Sequence, residues 1–233
     1  AEAYNLKIPY DKEVIINVIK DSVHLNNLSS AYIRPLVFFG EGEMGLLPKS
    51  VPVYVSVAAW NWGAYLGDDA GNQGVRVCIS KWKRISPQSF KPTAKGVGGY
   101  MNSTLAKIDA VENGYDDAIM LGDNDVVAEG SGQNLFLIKN GKIFTPPIET
   151  GALGGITRKT VIEIANNIGI EVEENYLEEN FMKDCSEAFL TGTAVEITPI
   201  NSVDDYKFCD RDVTKLLMKE FKDYVIRSCL LYT

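Results

Sequence analysis

Apolar residues recur along this chain with two different periods. Over DKEVIINVIKDSVHLN, residues 11–26, they fall at Val14, Ile15, Val18, Ile19 and Val23, the spacing of a helix face, with Asp11 placed to cap it. SAYIRPLVFFG and VPVYVSVAAW are dense in β-branched and aromatic residues and predict two strands, separated by the Gly/Pro loop GEGEMGLLPKSVP. NWGAYLGDDAGNQG, residues 61–74, is crowded with Gly, Asp and Asn and predicts a linker. VRVCISKWKR then reads as a strand. NSTLAKIDAVENG reads as a helix with Asn102 or Ser103 near its start and Gly114 as its stop. DDAIMLG and DVVAEG predict short strands, and NLFLI, Asn140-Gly141 and KIFTP form the pattern of a hairpin with a two-residue turn. TVIEIANNIG and DVTKLLMKEFKDYVIR are amphipathic helices. IEVEENYL, EAFLTGT and VEITPI are strands, and EENFMKD is a short helix. The expected organisation is a small α/β domain over residues 1–60, an interdomain loop over 61–74 and a larger α/β domain over 75–233.

Composition narrows the function classes. At 233 residues, with 45% hydrophobic and 23% charged residues, the chain has the make-up of a water-soluble globular protein able to bury a full core. A net charge of −8 without a basic cluster argues against nucleic acid as a partner. No apolar run approaches a membrane span, and the start AEAYNLKIPYDKE has neither a basic nor an apolar leader region. Cys78, Cys185, Cys209 and Cys229 are scattered without a CxxC pair, which predicts reduced thiols in the cytoplasm. The single histidine, His24, falls at the end of the first helix and leaves no histidine-based zinc site, so no metal is expected. Lacking an initiator Met, the chain reads as beginning partway into its first domain.

The candidate chemistry lies between Glu129 and Arg158, in EGSGQNLFLIKNGKIFTPPIETGALGGITR. GALGG opens directly onto an amphipathic helix. A Gly-rich loop that feeds a helix start presents free N–H groups and the positive end of the helix dipole, and so can hold a phosphate. Lys95, in TAKGVGGY, has no charged neighbour for several residues and small residues around it. An amine that must lose its proton wants such a poorly hydrated, partly buried site. Taken singly, each is an ordinary feature: a loop before a helix, a loop lysine, a surface glutamate.

Together they resemble the class IV aminotransferases, the pyridoxal 5′-phosphate enzymes of fold type IV. The pattern E-x-S-x-x-N-L-F, I-x-T, L-x-G-I-x-R is filled by Glu129, Ser131, Asn134, Leu135, Phe136, Ile143, Thr145, Leu153, Gly155, Ile156 and Arg158. K-x-x-x-x-Y-x-N-S, from Lys95 to Ser103, is similar to the family's lysine segment. The resemblance implies a two-domain α/β fold, with a small α/β domain that is N-terminally incomplete here and a larger pseudo-barrel α/β domain. It implies that Lys95 carries the cofactor as a Schiff base and shuttles the proton. Tyr100 would bond the phenolic oxygen, and Glu129 would keep the ring nitrogen protonated. Gly155, Ile156 and Thr157 would bind the phosphate, Leu153 would also contact the cofactor, and Thr193 and Ala194 of TGTA would sit between phosphate and substrate carboxylate.

SAYIRP followed by WGAYLG resembles the branched-chain amino acid aminotransferases within that class. By this likeness Tyr32 and Arg34 lie near the substrate, and Trp62 and Tyr65 wall an apolar side-chain pocket suited to Leu, Ile and Val. The alternative for those aromatics is an ordinary core and hinge role. The implied reaction uses 2-oxoglutarate as amino acceptor, in a homodimer or an assembly of dimers. Alternatives are D-amino acid transamination, aminodeoxychorismate lysis, or an inactive, truncated descendant that still binds the cofactor. VDDYKFCDRDVTKLL lacks the Gly/Pro-rich turn usual in the family before the last helix.

Overall fold

The computed structural model describes residues 1–47, 50–63, 66–67 and 70–229, and the chain divides into two compact units, Ala1–Gly63 and Ala64–Thr233. In the first unit, helix α1 (Lys12–Leu25) precedes antiparallel strands β1 (Tyr32–Phe39) and β2 (Val53–Trp60), in register Tyr32↔Trp60 and Arg34↔Ala58. Burial alternates along β2, with Val53, Val55, Val57 and Ala59 on the more covered face. On α1 the half-buried stripe is Ile15, Ile19 and Val23, whereas Val14 and Val18 of the predicted apolar set are exposed. Two strands and one helix have too little surface to enclose anything, and no described residue of this unit is fully buried.

The second unit is built on a sheet of nine described strands. After helix α2 (Ala70–Gln73) come β3 (Val75–Ile79), α3 (Tyr100–Glu112), β4 (Asp117–Leu121), β5 (Val127–Gly130), β6 (Asn134–Lys139) and β7 (Lys142–Thr145). They are followed by α4 (Ile156–Asn167), β8 (Val172–Glu174), β9 (Glu187–Gly192), β10 (Glu196–Val203), β11 (Tyr206–Lys207) and α5 (Asp212–Cys229). The spatial order is β5-β4-β3-β10-β9-β6-β7-β8, with β11 paired to β10. β3 runs parallel to both β4 and β10, while β4–β5, β6–β7, β6–β9 and β9–β10 are antiparallel. Strands β4, β5 and most of β6 and β9 are buried on both faces, which is why they read as unbroken apolar runs rather than alternating ones. One face carries the Leu135, Leu137, Ile119 and Leu190 core. The other packs Phe136 and Phe189, stacked at 4.9 Å, beneath α4 and α5 through Val161, Ile164 and Leu217.

The hairpin forms where its turn demands it. Asn140 and Gly141 both take positive φ, 53° and 74°, as a two-residue turn that continues strand twist requires. Two expectations are corrected, that of an unstructured linker and that of a strand over IEVEENYL. The predicted linker contains α2, whose last carbonyls, on Asn72 and Gln73, accept bonds from Arg211 and Asn201 far along the chain. Helix α3 (Tyr100–Glu112) has Asn102 and Ser103 in its first turn, near its start as expected, with both side chains engaged outside the helix. Asn102 bonds Lys83 O and Ile85 N, and Ser103 accepts from Arg84. The strand predicted over IEVEENYL shortens to Val172–Glu174, after which Asn175 bonds Thr145 O and Leu177 turns into the core.

Candidate active site

Glu129 is the best-held residue of the candidate site. It sits on β5 opposite Met120 of β4 and is 3% exposed. EGSG is therefore no loose loop: Ser131 and Gln133 are buried too, both donating to the enclosed carboxylate of Asp117, at 2.6 and 2.9 Å. One oxygen of Glu129 faces Arg84 Nε at 2.8 Å; the other accepts from Leu153 N at 3.0 Å and from Asn134 Nδ2 at 3.1 Å. Every one of these partners is a donor, so the pattern fits the ionised acid. Burial pushes the carboxyl above its ordinary range; the Arg84 charge, the Leu153 N–H and the Lys95 charge oppose that rise.

Asn134 links this carboxylate to the helix beyond it, since its Nδ2 also donates to Leu153 O at 2.7 Å. Gly155, the extended residue before α4, must be glycine here, because a Cβ would collide with Asn134 Oδ1. No side chain caps α4, and Thr157, 7% exposed, stands in its first turn. Its opening N–H groups are therefore available to an anion, with the helix dipole in support. The register Asn134↔Thr191 brings the end of β9, and the turn that follows it with exposed Thr193 and half-buried Ala194, to the same end of the sheet. Thr191 Oγ1, fully buried there, has no hydrogen-bond partner among the described residues.

Lys95 precedes the 3₁₀ turn Val97–Gly99 that feeds α3, and Tyr100 is the first residue of that helix. The expectation of a partly buried lysine is corrected: Lys95 is exposed, and Tyr100 is 44% exposed. Thr93, Ala94 and Gly96, whose small size marked the segment, are also too small to cover the amine. Its charge nevertheless reaches Glu129.

Within the first unit, register gathers Tyr32, Trp60 and Trp62. Tyr32 lies 5.1 Å from Trp60 and meets Trp62 edge-on at 4.5 Å. The Arg34 guanidinium lies 5.3, 5.7 and 5.9 Å from the centres of Tyr32, Trp60 and Trp62, and donates to Tyr32 Oη at 3.2 Å. Residues two apart on one strand share a face, so Arg34 can lie over Tyr32. Tyr65 falls outside the described residues.

The family model for amino-transferase class IV matches residues 1–203. The chain is 42% identical to the branched-chain-amino-acid aminotransferase of Pseudomonas aeruginosa over 228 residues, which cover 97% of this chain and 74% of that protein. This chain belongs to the class IV aminotransferases. The crystal structure of the Escherichia coli branched-chain amino acid aminotransferase superposes with a TM-score of 0.91 at 39% identity, covering 94% of this chain and 73% of that one. The PLP-form, or holo-form, of the Thermobaculum terrenum branched-chain enzyme gives 0.88 at 30% identity, covering 96% and 74%. The chain spans 66% of the length of the Escherichia coli relative and 77% of that of Methanocaldococcus jannaschii. With the family comes fold type IV, a mixed α/β architecture with a curled half-barrel sheet.

The family works with pyridoxal 5′-phosphate, and the residues present fit that group. A carboxylate supplied only with donors, an uncapped helix start behind a glycine that tolerates no Cβ, and a lysine whose charge reaches the carboxylate lie in one unit. Sequence reasoning missed Arg84 and gave Asn134 no role beyond its place in the motif. Asn134 was within reach as a fixed position of the pattern. Nothing in SKWKRIS distinguishes Arg84 from Lys81 and Lys83, which pair at the surface with Asp109 and Asp125.

Proposed function

We propose that this chain transfers the amino group of branched-chain L-amino acids (leucine, isoleucine and valine) to 2-oxoglutarate, giving branched 2-oxo acids and L-glutamate, with pyridoxal 5′-phosphate as cofactor. The observation that carries the reading is Glu129, an enclosed carboxylate met only by donors, beside the open start of α4. When bound, the cofactor supplies a carbonyl carbon for the amino group and a protonated ring that draws off the electron pair left at Cα.

The protein's share is placement and proton handling. Glu129 Oε1 has a lone pair left after Arg84 and would accept the ring N–H. Ile156 and Thr157, behind Gly155 and beside Leu153, would hold the phosphate with backbone N–H groups and the Thr157 hydroxyl. Lys95 Nζ would anchor the cofactor, take the substrate Cα proton and return it on the far carbon. Tyr100 Oη would donate to the phenolic oxygen, and Thr193 and Ala194 would meet the substrate carboxylate. Tyr32, Arg34 and Trp62, with Tyr65, would supply the apolar and cationic surfaces that accept an aliphatic side chain and then an acidic one. Homodimerisation agrees with the apolar side chains left exposed on the first unit, among them Val14, Val18, Leu36 and Phe38. No described helix is long and apolar enough to cross a membrane, and the free thiols of Cys78, Cys185 and Cys209 suit a cytoplasmic site.

The test is a visible spectrum of the purified protein with added pyridoxal 5′-phosphate, before and after leucine, alongside a leucine/2-oxoglutarate assay. The expected result is cofactor absorption that changes with leucine in the wild type and is lost in Lys95→Ala. Turnover of D-alanine with none of leucine would overturn the substrate class. A wild type that never binds the cofactor would overturn the reading for this chain.

A further inference from the structure

Arg84 occupies a place that the motif residues do not account for. Its backbone is fixed on both sides. Arg84 N donates to Leu121 O at 2.8 Å, and the Asn102 side chain spans the neighbouring Lys83 O and Ile85 N, at 2.9 and 3.2 Å. The side chain, 14% exposed, then meets three segments that are far apart in the chain. Nε lies 2.8 Å from Glu129 Oε1 and 3.3 Å from Gly151 O, and Nη1 donates to Ser103 Oγ at 3.0 Å. Gly151 makes this approach possible: it has φ of 97°, and a Cβ there would stand 3.2 Å from Arg84 Cγ. The guanidinium thus joins the strand of Glu129, the helix opened by Tyr100 and the loop leading to α4.

We propose that Arg84 is a positioning residue for the amino-transfer site: it pairs with Glu129, keeps that buried carboxylate ionised, and turns one Oε1 lone pair toward the cofactor ring. The identity of the ring rests on the reading above; the ionisation of Glu129 is a property of this chain alone. A buried carboxylate with no counter-charge takes up a proton rather than remain charged. Of the forces opposing that outcome here, the Arg84 charge is the largest, ahead of the Leu153 N–H and Lys95. A protonated Glu129 has no acceptor for its own hydrogen among Arg84, Leu153 N and Asn134 Nδ2, so the acid would turn and lose its aim. Lysine could replace the charge but not the three-way fork, because its ammonium is a point donor on a flexible stem.

The experiment compares Arg84→Gln, Arg84→Lys, Glu129→Gln and the double variant Arg84→Gln/Glu129→Gln. In the cofactor-free protein at neutral pH, the infrared carbonyl band of a protonated carboxyl is assigned to residue 129 by subtracting the Glu129→Gln spectrum. The band is expected in Arg84→Gln and absent in the wild type and in Arg84→Lys. In the loaded enzyme, kcat of Arg84→Gln should fall roughly a hundredfold, as for Glu129→Gln, with no further loss in the double variant. Nitrogen NMR of ¹⁵N-labelled pyridoxal 5′-phosphate should show the ring nitrogen losing its proton in the same variants. An ionised Glu129 in Arg84→Gln, a protonated one in Arg84→Lys, or additive losses in the double variant would overturn the proposal. If Arg84→Gln does not fold, the infrared band in Arg84→Lys decides. A wild type that binds no cofactor overturns the function proposed above and leaves the infrared result standing on its own.

Discussion

At the scale of single residues, the stability of this chain depends on pH through Glu129. Its carboxyl is pushed above the ordinary range in the folded protein by burial, and Arg84, the Leu153 N–H and the Lys95 charge only partly reverse this. The folded state therefore binds the Glu129 proton more tightly than the unfolded state does. Its contribution to stability is fully present below the unfolded-state pKa and is lost as pH rises through the folded-state value. Chemical denaturation of the cofactor-free wild type and of Glu129→Gln across that window should show the wild type losing stability relative to the variant as pH rises. A relative gain would mean that Arg84 and Lys95 outweigh burial. Cys78 and Cys185 follow the same physics, with burial pushing their thiols up to about 11 and about 12.

At the scale of elements, the last helix is held by a residue from a distant strand. Glu187 on β9 is 2% exposed and accepts from Val213 N at 3.0 Å, Thr214 N at 2.8 Å and Thr214 Oγ1 at 2.7 Å. It satisfies the first turn of α5 and places negative charge at the positive end of that helix. Glu187→Leu leaves those buried donors unpaired and should cost about 2–4 kcal/mol, read as a lower denaturation midpoint. Glu187→Gln, which keeps one acceptor oxygen, should lose less. In the sequence EAFLTGT is only an apolar strand that opens with an acid, and no local rule connects that acid to Thr214.

At the scale of the whole molecule, burial is divided unequally between the two units. The described residues of the first unit include none that is fully buried. The second encloses Phe136, Phe189, Ile119, Leu135 and Leu190 at no more than 1% exposure each. Amide protection follows enclosed hydrogen bonds. Hydrogen exchange followed by mass spectrometry should therefore find fast exchange in α1, β1 and β2 and the slowest amides in β6 and β9. Equal protection in both would contradict this distribution of burial.

Sequence alone determined what depends on neighbours a few residues apart. The turn at Asn140-Gly141 follows from the positive φ that these two residues tolerate, and the helix over residues 12–25 follows from its apolar stripe. The family was readable from Glu129 to Arg158 because its pattern of residue types and spacings is filled there at every position. Tertiary structure decided what depends on register between distant segments. It chose Arg84 over Lys81 and Lys83 as the partner of Glu129, since only Arg84 follows a backbone clamped by Leu121 O and Asn102. It gave Asn102 and Ser103, near the start of α3, partners outside that helix, and it made a helix of Ala70–Gln73 by supplying Arg211. It also left Lys95 exposed, because burial depends on what packs above a residue and not on the small residues beside it. Periodicity and turn chemistry are local properties of a chain, whereas the partner of a buried charge is settled only when strands far apart in sequence come into register.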